Sequence, residues 1–190
     1  MLLRGLLIGA LLITAMAGTA SAGAINLNQW YGFLWAGVVE SPLPTRSCNG
    51  NCFPPQGVID APVDSPWTIS GPITLRVLDF GNVGDQFEVF DNAVSVGITS
   101  TPGDAAFCGP SDRVEDCWAI PNFSKGTFDV GGGAHSITIF LVTCGSDTCS
   151  GGASFVAEPA VVPLPPTVWL LGTGLAGLGG RRWLRRKIGS

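Results

Sequence analysis

Between residues 67 and 156 apolar and polar positions alternate in short runs. Ile73, Leu75 and Val77 interleave with Thr74 and Arg76, Phe87 and Val89 with Gln86 and Glu88, and Val94, Val96 and Ile98 with Ser95, Gly97 and Thr99. Ile137, Ile139 and Leu141 keep the same rhythm against Ser136 and Thr138. A period of two puts one class of residue on each face of a pleated strand. Trp67–Ser70 and Ser154–Val156 are shorter strand candidates, with one or two more within residues 25–39. Asp91-Asn92 separates two of the runs and predicts a tight hairpin, because both residue types tolerate left-handed backbone. Gly131-Gly132-Gly133 predicts a turn that pairs Thr127–Val130 with the strand around Ile139. No helical period is visible in the body. Short strands joined by Gly and Pro turns over about 135 residues predict an all-β fold, an antiparallel β-sandwich of jelly-roll-like type.

Both ends break the alternation. Met1 to Ala22 carries Arg4, then an apolar run from Gly5 to about Ala17, then Ala20-Ser21-Ala22, a small-x-small triad. That layout is a secretory signal peptide, with Ala20 and Ala22 marking the cleavage site. At the other end, fourteen residues between Pro166 and Arg181 carry no charge. As a helix they would span about 21 Å, which arginine snorkelling lengthens toward the roughly 30 Å hydrocarbon core. A single C-terminal transmembrane helix is therefore expected, with Arg181, Arg182, Arg185, Arg186 and Lys187 as its cytoplasmic anchor. The expected division is a signal peptide at 1–22, an extracytoplasmic domain at 23–157 and a tail at 158–190.

Charge follows the same division. Residues 1–22 carry +1, residues 23–157 carry −9 and residues 158–190 carry +4, for the net −4 of the 190-residue chain. An acidic body argues against a nucleic-acid partner, which needs a basic patch to displace counterions. A content of 46% hydrophobic and 13% charged residues excludes a disordered polyelectrolyte, and Gly 27 with Pro 14 excludes a coiled coil.

The tail, with Val162-Pro163-Leu164-Pro165, one apolar helix and a terminal Arg cluster, resembles the PEP-CTERM sorting domain of Gram-negative bacteria. Val162, Pro163, Leu164 and Pro165 stand where that family has Val-Pro-Glu-Pro, with Leu164 in place of the glutamate. The resemblance implies transient recognition and processing by an exosortase, a membrane-embedded cysteine transpeptidase-like enzyme. It further implies an inner-membrane precursor and a final place at the cell surface or in an exopolysaccharide matrix. The runs FEVFDNAVSVGITS and GGGAHSITIFLV within Trp67–Val156 also resemble the β-sandwich body of many PEP-CTERM proteins, for which no activity is implied.

All six cysteines, Cys48, Cys52, Cys108, Cys117, Cys144 and Cys149, fall between the two ends. An even count in an exported chain predicts disulfides, although six cysteines allow fifteen connectivities. The local scheme 48–52, 108–117 and 144–149 is expected, because each pair brackets a turn-like stretch. Zinc is disfavoured by the lack of C-x2-C spacing. Residues 100–126 form a long insertion between strands, and a 108–117 staple predicts that it is ordered.

Catalytic chemistry has little support. His135 is the sole histidine, no G-x-S-x-G elbow accompanies it, and Ser136 beside it would face the other side of a strand. Asp79, Asp85, Glu88 and Asp91 offer carboxylates for a secreted hydrolase, and Asp79, Asn82, Asp85 and Asp91 offer oxygen ligands for calcium, but all sit where turn chemistry explains them. The expectation is no catalytic residue, no metal and no cofactor. Trp30, Tyr31, Phe33, Trp35 and Trp67 are candidates for an aromatic platform under sugar rings, the basis of an alternative reading as a carbohydrate-binding module of the matrix. The leading expectation is an exported, exosortase-sorted surface or matrix protein with a structural or adhesive sandwich.

Overall fold

The computed structural model describes residues 22–36, 43–145 and 149–161. Among these, eight longer strands carry the architecture: β2 (Trp30–Ala36), β6 (Trp67–Ser70), β7 (Ile73–Asn82), β8 (Gln86–Asp91), β9 (Val94–Ile98), β11 (Lys125–Val130), β12 (Ala134–Thr143) and β13 (Ser150–Pro159). Five short strands decorate them: β1 (Gly23–Ala24), β3 (Leu43–Pro44), β4 (Arg46–Ser47), β5 (Val58–Asp60) and β10 (Phe107–Cys108).

Pairing among the long strands is nested. β2 pairs with β13, β6 with β12, β7 with β11 and β8 with β9, all antiparallel. Cross-pairs β12–β8 and β13–β7 knit these into one sheet running β6-β12-β8-β9 and another running β11-β7-β13-β2. The two sheets face each other in a sandwich-like arrangement. Trp67, Ile69, Phe87, Val89, Ile137, Ile139 and Leu141 from the first meet Tyr31, Phe33, Trp35, Leu75, Val77 and Phe155 from the second in one buried cluster. Phe33 sits at its aromatic centre, 5.7 to 6.3 Å from the rings of Trp35, Trp67, Phe87 and Phe155. Truncating a ring in such a site costs about 3–5 kcal/mol.

The predicted strands are present, with four corrections. β11 does not pair with β12 across the three glycines; its partner is β7 in the opposite sheet. In a nested winding, consecutive strands cross between sheets, and only the innermost pair, β8–β9, makes a tight hairpin. That hairpin turns on Asn92 and Ala93, both left-handed (φ 49° and 64°), one residue later than predicted. Second, the pairing is not wholly antiparallel: β1 joins β6, and β5 joins β2, in parallel. Third, β9 buries only the middle of its apolar face: Val96 packs half-buried against the core, while Val94 and Ile98 are 67% and 53% exposed. It closes an edge, so its alternation marks pleat more than core.

Fourth, the insertion contains a short helix, α1 (Val114–Ala119). Six residues are too few to print a helical period. Its first turn holds Glu115 and Asp116, and its far end is met by Lys125 Nζ, which donates to the Trp118 and Ile120 carbonyls at 2.6 and 2.8 Å. The helix lies on the outer face of the second sheet. There Trp30, Leu78, Phe80, Val114, Phe123, Val156 and the Cys108–Cys117 disulfide form a second buried cluster. A sheet covered on both faces explains why β7 is buried continuously from Val77 to Phe80 and β13 from Ala153 to Ala157. Arg76 fastens this layer: it bonds Glu115 at 3.0 Å and Glu158 at 3.1 Å, and its guanidinium lies 4.1 Å from the Trp118 ring centre. Glu158 and Pro159 thus belong to the last strand, two residues beyond the boundary expected at 157.

Ala22 is described and exposed. Ala20, the 162–165 motif (Val162, Pro163, Leu164, Pro165) and the 181–187 cluster (Arg181, Arg182, Arg185, Arg186, Lys187) lie outside the described residues. No helix among the described residues is long and apolar enough to cross a membrane.

Candidate functional site

Two of the expected disulfides, Cys48–Cys52 and Cys108–Cys117, are formed. Each clips a loop beside the same end of the second sheet. The first loop leaves β4 and the second follows β10, which pairs with Asn82 and Gly81 at the end of β7. The third expected bond, Cys144–Cys149, is not formed: Cys149 is a buried thiol against the Cys144 side chain. Burial first, then Cys144 and Asp85, push its pKa up to about 12.

Between the clipped loops lies a groove of about 700 Å³. Gly151 and Gly152 of β13 lie in its floor, each beneath an aromatic ring. A Cβ at Gly151 would stand 2.6 Å from the Trp35 ring, and one at Gly152 would stand 2.7 Å from Phe80, so aromatic rings lie directly on the glycines. Phe53 and Phe107 stand at the groove, 78% and 63% exposed, and Asn51, Asn82 and Asp85 add polar groups. An apolar, aromatic-walled concavity with a few hydrogen-bonding groups is what a small polar ring requires.

Trp30, Tyr31, Phe33, Trp35 and Trp67 do not make this platform. All five are buried, four of them in the cluster between the sheets and Trp30 in the outer one. Large aromatics on β-strands gain more from burial than from display. The exposed pair sits instead beside half-cystines, in Cys52-Phe53-Pro54 and Phe107-Cys108-Gly109-Pro110. An aromatic next to a disulfide and proline in a loop is the signal that would have found it.

The carboxylates weighed as a hydrolase pair or calcium ligands are divided. Glu88 accepts a 2.6 Å hydrogen bond from Ser95 Oγ, and Asp91 bonds His135 Nδ1 at 3.0 Å. Only Asp79 and Asp85 meet. Asp79 follows Ile73, Leu75 and Val77 on the inward side of β7 and is fully buried. Its Oδ2 accepts the Gly84 and Asp85 backbone N–H groups, each at 3.3 Å. Its Oδ1 has no hydrogen-bond partner among the described residues. Burial, and then the Asp85 charge, lift its pKa to about 9 against the pull of three backbone N–H groups. Asp85 is raised by burial and held back by the Gly145 N–H and the Cys144 side chain. Gly84 and Gly145 make this possible: a Cβ on Gly84 would fall 2.6 Å from Gly145 Cα, and Gly84 is left-handed at φ 145°. That close approach lets Gly145 N donate to Asp85 Oδ1 at 3.0 Å.

His135 has both ring nitrogens engaged, Nδ1 by Asp91 and Nε2 by the Gly71 carbonyl at 2.9 Å. Burial lowers its pKa, but Asp91 and the Gly71 carbonyl outweigh burial and raise it overall. A histidine held on both sides inside a sheet is a strut, with no nitrogen left to serve a neighbouring hydroxyl. Ligand atoms of three His, Cys, Asp or Glu residues converge among the described residues only at Cys108, Asp112 and Cys117, where the sulfurs are spent in the disulfide.

No protein family, curated protein or solved structure matches this chain.

Proposed function

We propose that the protein is an exported surface or matrix protein, sorted by an exosortase through its PEP-CTERM-like tail. Its non-catalytic β-sandwich acts as a structural or adhesive module in an exopolysaccharide. The observation that carries this reading is the pair of disulfide-clipped loops in the body, because such bonds persist in oxidising compartments outside the cytoplasm. The nested pairing supports a jelly-roll form of the sandwich, a scaffold that presents loops at its ends. Deleting residues 162–190, which spares β13, should move the protein from the membrane fraction into the medium. Equal membrane retention of the truncated chain would defeat the tail as the anchor.

Carbohydrate binding is favoured by one specific feature, the groove between those loops with Phe53 and Phe107 exposed on it. Stacking of a sugar face on these rings, with Asn51 and Asn82 hydrogen-bonding hydroxyls, is the contact proposed. The full chain should be retained by isolated exopolysaccharide, and Phe53→Ala with Phe107→Ala should lose that retention without a change in melting temperature. Retention undiminished in the double variant would remove the groove from the account.

A further inference from the structure

Neither the fold nor the groove explains Asp79. The preceding inward positions of its strand are Ile73, Leu75 and Val77, and an apolar residue would continue that face at no electrostatic cost. A carboxylate taken from water costs several kcal/mol unless a cation or proton accompanies it. Among the described residues no cationic side chain bears on Asp79; its charged neighbour is Asp85, which makes matters worse. Arg76 is engaged with Glu115 and Glu158, and Lys125 with the end of α1. One oxygen of Asp79 is hydrogen-bonded to the β7–β8 connection, and the other, fully buried, has no donor among the described residues.

We propose that Asp79 and Asp85 are the anionic ligands of a calcium site at this end of the sandwich, with the cation seated against Asp79 Oδ1 and the Asp85 carboxylate. Two carboxylates balance a divalent charge. The rest of a six- to eight-oxygen shell comes from water and backbone carbonyls, which calcium accepts in irregular geometry and magnesium does not. Asp85 lines the groove, so water and ions reach it, and the surrounding chain at Gly84, Gly145 and Gly151 is side-chain-free. The Gly84 carbonyl lies in the same close approach, 3.0 Å from where a Gly145 Cβ would stand. Zinc is a poorer occupant, because among the described residues no compact set of three thiolate, imidazole or carboxylate ligands includes Asp79. Asn82 and Asp91 take no part: Asn82 is exposed at the end of β7, and Asp91 pairs with His135. A cation here ties the β7–β8 connection to the end of β12 beneath the groove floor.

The test uses the full chain with its disulfides intact, stripped with a chelator and titrated with calcium chloride. Saturating calcium should raise the melting temperature by about 5 °C or more, while equal magnesium or zinc gives less than half that shift. Asp79→Asn and Asp85→Asn should each abolish the calcium shift. Terbium, a calcium mimic, should show tryptophan-sensitised emission that calcium displaces. Trp35→Phe should cut that emission several-fold, because the Trp35 ring and Asp85 Oδ2 both lie within 3.3 Å of the same Gly151 Cβ position. A wild-type chain that neither shifts with calcium nor sensitises terbium overturns the site, as does a calcium shift that persists in Asp79→Asn or a response to zinc alone. If Asp79→Asn does not fold, the terbium and calcium competition on wild type, Trp35→Phe and Asp85→Asn decides the matter by itself.

Discussion

β8 is bracketed by two aspartates, and the two ends of the sandwich treat them differently. At the far end Asp91 meets His135, whose other nitrogen is anchored on the Gly71 carbonyl. The acid there has a base of the chain's own as its partner, which carries the opposite charge whenever the imidazole is protonated. At the near end Asp85 meets a second acid, Asp79, and among the described residues the groups that offset their charge are the backbone N–H groups of Phe80, Gly84, Asp85 and Gly145 and the Cys144 side chain. The comparison teaches how to tell a structural carboxylate from one that awaits something. Asp79 and Asp85 are buried, and Asp91 is half-buried. The difference is whether the fold supplies a partner able to carry the opposite charge; among the described residues a buried carboxylate oxygen without a hydrogen-bond partner occurs at both ends, on Asp91 and on Asp79, and of these two residues Asp79 alone is fully buried.

Substitution should give opposite signs at the two ends. The largest effect is expected from His135→Ala, which strands the Asp91 carboxylate and opens a void: a loss of about 2–3 kcal/mol in urea unfolding. Asp79→Asn should move the other way in calcium-free protein, with a gain of about 1–2 kcal/mol by the same measurement, because it removes a repulsive buried acid. Equal destabilisation by both variants would erase the distinction between the ends.

A smaller effect separates them by pH. The folded pKa of His135 is raised, so its stabilising contribution is complete below the unfolded value of 6.5 and is lost as pH rises through the folded value. Urea midpoints measured from pH 6 upward should therefore fall more in wild type than in Asp91→Asn, where the histidine keeps a hydrogen bond but no charged partner. Parallel curves for the two proteins would show that the pair is not coupled to folding.

Much of the sandwich was legible as alternation. Ile73, Leu75 and Val77, Phe87 and Val89, and Ile137, Ile139 and Leu141 all point inward as their period requires. Alternation failed where it had to. Val94 and Ile98 stand exposed on an edge strand that packs only Val96 against the core, and Phe80 and Leu78 break the pattern because α1 covers the outer face. Two cysteine pairs close as their spacing predicted, since loops of four and nine residues bring the sulfurs together locally. The groove was not legible. It joins Asn51 and Phe53, Phe80 and Asn82, Phe107, and Gly151 across a hundred residues of chain.

The division between local and distant information has a physical reason. Strand positions, the two short disulfides and the acidic balance of the body depend on residues within a few places of one another, so the chain declares them in its order. Sheet partners depend on which apolar faces can be covered at once. That condition sends β11 to β7 and not to its neighbour β12. The same condition decides that Asp91 finds a histidine 44 positions away while Asp79 finds another acid. Identical residues took different roles because tertiary packing, not side-chain type, chose what stands beside each charge.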